Sequence, residues 1–200
     1  MYCILVTGAP ASGKSTVARV LGDELGLPVF SKDDLKEILF DALGFSSREE
    51  KVRLGEAATR ILYDAARRTL RAGQSVILEN NFENASKEGL LRLLEDCPCK
   101  TITVRLEADL RTLYARYAER NNSPLRHRGH VVNDRYPETE PGRVVQPIPF
   151  EAFERGIRAR GMHSFDIGGP VITVDTTDFA RVQIGELAGR VRAMLNGKAT

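Results

Sequence analysis

Met1-Tyr2-Cys3-Ile4-Leu5-Val6-Thr7-Gly8-Ala9-Pro10-Ala11-Ser12-Gly13-Lys14-Ser15-Thr16 opens the chain, and its reading decides the fold. Residues 2–7 are an apolar run of strand length that ends at Gly8. Val17, Val20, Leu21 and Leu25 then recur at helical spacing, until Gly26 and Pro28 stop the helix. Between them, Gly8 to Ser15 satisfies G-x-x-x-x-G-K-[ST] at every fixed position. Glycine lets the turn take backbone angles closed to other residues, so successive N–H groups converge on phosphate oxygens. The helix that starts near Gly13 points its positive end at the same anion. In that pattern Gly8, Ala11, Ser12 and Gly13 form the cradle and Lys14 reaches the β- and γ-phosphates. Ser15 ligates Mg²⁺, and Thr16 adds a contact to the α-phosphate. A chance match arises on the order of once per hundred chains of this length. The flanking strand and helix make chance rarer still.

Outward from this loop, strand-length apolar runs alternate with helical periodicity, which predicts an α/β fold with a parallel sheet. Pro28 to Ser31 is a second strand. Leu35, Ile38, Leu39, Ala42 and Leu43 mark a helix closed by Gly44. Ser47 with Glu50 reads as a capping box that opens a long helix to about Ala72. Ser75–Glu79 is a strand, residues 86–96 a helix and Thr101–Leu106 another strand. Asp109 is a fitting N-cap for a helix with Leu110, Leu113, Tyr114 and Tyr117 on one face. Residues 121–149 break the pattern with five prolines and many Arg, His and Gly residues, the composition of a lid or binding loop. A helix around Phe150, Phe153 and Ile157 follows, then a strand at Val171–Asp175 and a last helix carrying Leu187, Val191, Met194 and Leu195. The expected organisation is a single domain over residues 1–200.

Chemistry beyond the loop is expected where the strands end, because ligands of open parallel sheets sit beyond the carboxyl ends of the strands. Asp33, just after the second strand, is the candidate to orient an acceptor hydroxyl and take its proton. The plainer reading is that Asp33 and Asp34 only favour a helix N-terminus. Glu79 ends an apolar strand and is the candidate second acidic element, holding Mg²⁺ with Ser15; Asn80 and Asn81 behind it are candidate substrate contacts. Arg116 and Arg120 share a helical face, and Arg126 and Arg128 follow in the irregular segment. Guanidinium groups closing over a polyphosphate would stabilise the charge of phosphoryl transfer. A solvated basic face is the alternative. His127 and His130 lack a visible Cys/His partner set, so no structural metal is expected.

Composition narrows the function classes. The 200 residues are 42% hydrophobic and 28% charged, enough to bury an ordinary core, and the net charge of +2 demands neither nucleic acid nor a membrane surface. No apolar run approaches the ~20 residues of a membrane span. Cys3, Cys97 and Cys99 are odd in number and lack zinc spacing, which suggests reduced thiols and a cytoplasmic protein.

GAPASGKST, SKDDLKEILFD, SVILENNF, VRLEADLRTLYARYAERN, RHRGH and VITVDTTDF together resemble the small P-loop kinases, the group of polynucleotide 5′-kinase domains, chloramphenicol phosphotransferase and zeta-toxin-like kinases. The resemblance implies a five-stranded parallel sheet in the order 2-3-1-4-5 with a mobile lid, and ATP with Mg²⁺ as cofactors. It places the general base on Asp33 and a phosphate contact on Lys36, where Arg is typical of the group. It carries Arg120 and Arg126 over as lid residues and sets Asp175 and Thr176 near the adenine. Glu79 stands where the group usually has Asp. The reading that follows is a kinase for the hydroxyl of a small molecule such as a nucleoside, metabolite, antibiotic or nucleotide sugar. A polynucleotide 5′-hydroxyl kinase and a non-kinase P-loop ATPase or switch are the alternatives. Nucleic acid is not favoured, because 6% aromatic residues offer few stacking platforms.

Overall fold

Strand β1 (Tyr2–Gly8) is buried along nearly its whole length, as an apolar run at the centre of a parallel sheet must be. A computed structural model describes residues 1–140 and 143–197. Residues 141 and 142 of the expected lid and 198–200 of the expected domain lie outside the described residues. β1 is flanked by β3 (Val76–Glu79) and β4 (Lys100–Glu107), with β2 (Val29–Ser31) beyond β3 and β5 (Val171–Asp175) beyond β4. The order is β2-β3-β1-β4-β5 and every pairing is parallel, as expected.

Helices cover both faces. On one, Leu62 and Leu70 of α3 (Arg48–Arg71) and Leu90 of α4 (Asn84–Asp96) pack with Leu5 and Leu78 of the sheet and with Phe82. On the other, Val17 and Leu21 of α1 (Lys14–Leu25) and Val191 of α8 (Ile184–Leu195) pack with Ile4 and Ile102 of the sheet. Helix α2 (Lys32–Leu43) leaves β2 with Ser31 as its N-cap, and Gly44 closes it at φ 63°. Helices α5 (Leu110–Asn121) and α7 (Phe150–Ala159) meet through Leu113, Phe153 and Ile157. Asp109 caps α5 by accepting the N–H groups of Arg111 and Thr112, each at 3.0 Å. The capping box is shifted by one residue. Ser47 Oγ accepts from Glu50 N, but the Glu50 carboxylate accepts from the N–H of Ser46, not Ser47.

The irregular segment differs from a free-standing flap. It contains a short helix, α6 (Arg128–Val131), and Phe45 and Tyr136 form an antiparallel bridge. Val132 is buried with Phe40 and Phe45. Apolar residues inside the polar stretch anchor its middle against α2 and α3, a contact that its composition did not signal. Among the described residues no helix is long and apolar enough to cross a membrane. Cys3, Cys97 and Cys99 are all free thiols.

Candidate active site

The carboxyl ends of β1, β2 and β3 meet over one polar cleft of about 500 Å³. The loop after β1 forms its floor, with Ala11, Gly13, Lys14, Ser15 and Thr16 on the wall. Gly8 and the buried Ser12 of the same loop are not on that wall. A Cβ on Gly8 (φ 149°) would stand 2.5 Å from the carbonyl of Leu106. One on Gly13 (φ 90°) would collide with the ring of Phe179. Both positions therefore need glycine for space as well as for angle. Ala11 holds φ 65° without being glycine, local strain of the kind found at functional loops. Lys14 is buried, and its Nζ donates to the carbonyl of Ala9 at 2.9 Å. Burial lowers its pKa, while Glu79 and Asp33 act in the opposite direction.

Sheet register builds the acidic corner. Glu79 lies beside Val6 of β1 on one side and Ser31 of β2 on the other. Its Oε2 accepts from Ser31 Oγ at 2.6 Å and from Ser15 Oγ at 3.4 Å. Burial pushes the Glu79 carboxyl up, and Lys14 and the Ser31 hydroxyl hold it back. Two hard oxygens, on Ser15 and Glu79, thus stand together beside the phosphate loop, a donor set that fits Mg²⁺ completing its shell with phosphate and water. Asn80 and Asn81 line the cleft next to them. Asn80 Oδ1 accepts from the N–H of Asn81, and its buried Nδ2 has no partner among the described residues.

Asp33, on the first turn of α2, lines the same cleft. Arg126 approaches its carboxylate at 3.5 Å and Glu37 at 4.0 Å. Burial would raise the pKa of Asp33, but His130, Arg126, Lys36 and Lys14 together hold it at about 2. Asp33 is therefore a carboxylate at neutral pH. Burial, together with Arg126 and Lys36, keeps the His130 imidazole neutral against the pull of Asp33, with a pKa lowered to about 3. Its Nε2 pairs with Glu37 at 2.9 Å. Asp34 is exposed, and its N–H is capped by Ser31.

Lys14, Ser15, Thr16, Asp33, Glu79, Asn80, Asn81, Arg116, Arg120 and Arg126 are thus brought to one cleft. Arg116 is committed there, donating to the carbonyls of Thr176 at 2.8 Å and Thr177 at 2.9 Å. Asp175 and Thr176 do not line the cleft. Asp175 caps the N–H of Thr177, and Thr176 is buried against the carbonyl of Glu107. Two expected substrate contacts are also placed off the cleft wall. Lys36, three residues past Asp33, lies over the ring of Phe40 at 5.3 Å and beside α3, away from the cleft wall. Arg128 turns back to Glu138, at 2.5 and 2.7 Å, because a carboxylate of its own segment meets its planar fork.

Glu37, His130, Tyr117 and Lys51 were missed. Asp33, Glu37 and Asp41 recur every fourth residue, an acidic stripe on one face of α2. That stripe meets Arg126, His130 and His127 in turn, with Asp41 to His127 at 3.0 Å. The i, i+4, i+8 acidic spacing opposite a segment rich in Arg and His was the available signal. Lys51, on α3, gave none.

This fold and loop define a nucleotide-binding P-loop protein. The chain matches the AAA domain family over residues 3–135 and belongs to that family. A candidate kinase from Chloroflexus aurantiacus J-10-fl is similar, at 35% identity over 96% of each chain with a TM-score of 0.80. A sugar kinase from Janibacter sp. HTCC2649 (16% identity, 100% of this chain and 98% of that one, TM-score 0.55) shares the fold. So does a gluconokinase from Sinorhizobium meliloti 1021 (12% identity, 99% and 97%, TM-score 0.53). No curated protein matches the chain.

Proposed function

We propose that this protein is a kinase that transfers the γ-phosphoryl group of ATP to a hydroxyl of a small molecule. The observation that supports the reading best is that Asp33, paired with Arg126 at 3.5 Å, lines the same cleft as Lys14 of the phosphate loop. A phosphate loop alone serves a switch as well as a kinase. An ionised carboxylate facing that loop from the acceptor side is what phosphoryl transfer to an alcohol requires.

In this reading the N–H groups of the loop and Lys14 hold the phosphates, and Asp33 orients the acceptor hydroxyl and receives its proton. Arg120 and Arg126 neutralise charge on the transferring oxygens. Ser15 Oγ and Glu79 would hold Mg²⁺, which supplies charge neutralisation on the phosphates when bound. Asn80 and Asn81 contact the acceptor, and Arg116 steadies the loop after β5 beside the nucleotide.

The test compares Asp33→Asn with Asp34→Asn. Asp33→Asn is expected to leave MgATP binding intact and to reduce acceptor-dependent ADP formation by roughly 10²–10⁴, the worth of a positioned base. Asp34→Asn should change it by less than about threefold, since successive helical residues point ~100° apart. A silent Asp33→Asn beside a crippling Asp34→Asn would overturn the assignment.

A further inference from the structure

We propose that the phosphoryl acceptor is a small polyhydroxylated molecule without net charge, a sugar or polyol, and not a carboxylate, a phosphate ester or an aromatic nucleoside. This rests on the kinase reading and names the substrate class of the same site.

Size is the first argument. The whole cleft is about 500 Å³. Pockets that bind one small molecule are roughly 300–1,000 Å³. Here the polyphosphate must share the space, so the acceptor's part is small. An extended or multi-ring acceptor would have to project out of the cleft into solvent.

Charge is the second. The wall carries four cations, Lys14, Arg116, Arg120 and Arg126, against two carboxylates, Asp33 and Glu79, leaving a net of two positive charges. His130 also lines the wall and pairs with Glu37 behind it. Behind the wall lie one charge of each sign, the Glu37 carboxylate 4.0 Å from Arg126 and the Lys36 ammonium that acts on Asp33, and they cancel in the sum. ATP with one Mg²⁺ brings about two negative charges, so the nucleotide alone balances the cleft. An anionic acceptor would then bring an uncompensated charge into a partly desolvated site, directly beside the Asp33 carboxylate.

Hydrogen-bonding character is the third. Among the described residues Tyr117 is the only aromatic carbocycle on the wall, and no Leu, Ile, Val, Met or Phe lines it. An apolar antibiotic therefore has no complementary face, and a nucleobase has only Tyr117, His130 and the guanidinium planes to stack on. The wall instead mixes acceptors with donors. The Asp33 carboxylate accepts, while Asn80 Nδ2 and the Nε atoms of Arg120 and Arg126 are buried donors without partners among the described residues. A hydroxyl donates and accepts at once. A run of neighbouring hydroxyls can donate to Asp33 and accept from Asn80 or a guanidinium together, whereas an ionised carboxylate or phosphate group placed there could only accept.

The experiment measures ADP formation by the full-length protein at saturating MgATP against a matched panel. Neutral members are glucose, fructose, ribose, mannitol and inositol. Charged counterparts are gluconate, glucuronate and glucose 6-phosphate, and adenosine and a 5′-hydroxyl oligonucleotide complete the set. The expected result is that the best acceptor is neutral, with kcat/KM at least about 30-fold above that of its carboxylate or phosphate counterpart. Its KM should change less than about twofold between about 50 and about 300 mM KCl, because an uncharged ligand is not steered. Asn80→Ala should raise that KM about tenfold and leave the KM for ATP unchanged. A best acceptor that is an acid, a phosphate ester, a nucleoside or an oligonucleotide overturns the proposal and leaves the kinase reading standing. ATP hydrolysis that no panel member accelerates overturns the kinase reading, and the proposal with it.

Discussion

Lys51→Met tests how the segment over the cleft is held. Lys51 is 8% exposed, and its Nζ donates to the carbonyls of His130 at 3.0 Å and Val132 at 2.5 Å and to Asn133 Oδ1 at 3.1 Å. Burial, with Lys36, Arg48 and Arg126 nearby, draws its pKa down to about 7. The cage acts the other way, since three oxygens engage all three hydrogens of an ammonium, and we take the charged form as the one that anchors the segment. Methionine keeps most of the stem and removes the donors. Each buried acceptor left without a donor costs about 1–3 kcal/mol, partly offset because no cation need be desolvated any longer. The net loss is about 2–4 kcal/mol. Every lost bond ends on residues 130–133, so the loss should appear first as local opening. Amide exchange at Val132, whose N–H donates to the carbonyl of Arg128 at 3.0 Å, should accelerate by a factor of about 30 to about 1,000. The whole-protein Tm should fall by less than the roughly 4–16 °C expected if the full cost were global. Arg126 and His130 belong to the same segment, so kcat should fall while MgATP affinity holds. Exchange mass spectrometry and thermal unfolding measure both. Unchanged exchange over residues 128–136 with Tm within about 1 °C of the parent would refute the anchor.

Lys14→Ala should weaken MgATP binding roughly 10- to 150-fold, the worth of one hydrogen bond to a charged group, as read by calorimetry; unchanged affinity in the folded variant would sink the phosphate-loop assignment. Arg120→Ala and Arg126→Ala should lower kcat more than they raise the KM for ATP, because their charge is needed most in the transition state, and a loss confined to KM would make them ground-state binders. Asp33 gives a pH signature. Its carboxyl is held at about 2 when folded against an ordinary 3.8, so the unfolded chain binds its proton at the higher pH. The stabilisation it brings is full above about pH 4 and is lost as pH falls toward 2. The Tm difference between wild type and Asp33→Asn should therefore be flat above about pH 4 and vanish near pH 2; a difference that grows above pH 5 would contradict the sign.

The chain's sequence determined those features that arise from contiguous residues. A strand, a turn with obligatory glycines and a helix must follow one another in Met1–Thr16, and alternating periodicities leave few arrangements other than a parallel sheet. Asp109 and Gly44 ended up at the helix boundaries where their chemistry belongs, because capping is decided within a few bonds of the backbone. Position along a strand also sufficed for Asp33 and Glu79, since strand ends in such a sheet converge. Direction of a side chain around a helix did not follow so easily. Lys36 and Asp33 share α2, yet three residues of separation and the apolar ring of Phe40 send Lys36 toward α3. Arg128 looked equivalent to Arg126, but Glu138, ten residues on, captured it. Only the tertiary structure decided these choices, along with the Lys51 cage and the collision that makes Gly13 obligatory beneath Phe179. Each depends on groups far apart in the chain whose pairing is selected by burial, and an unpaired charge or an overlapping atom becomes costly only once water has been excluded.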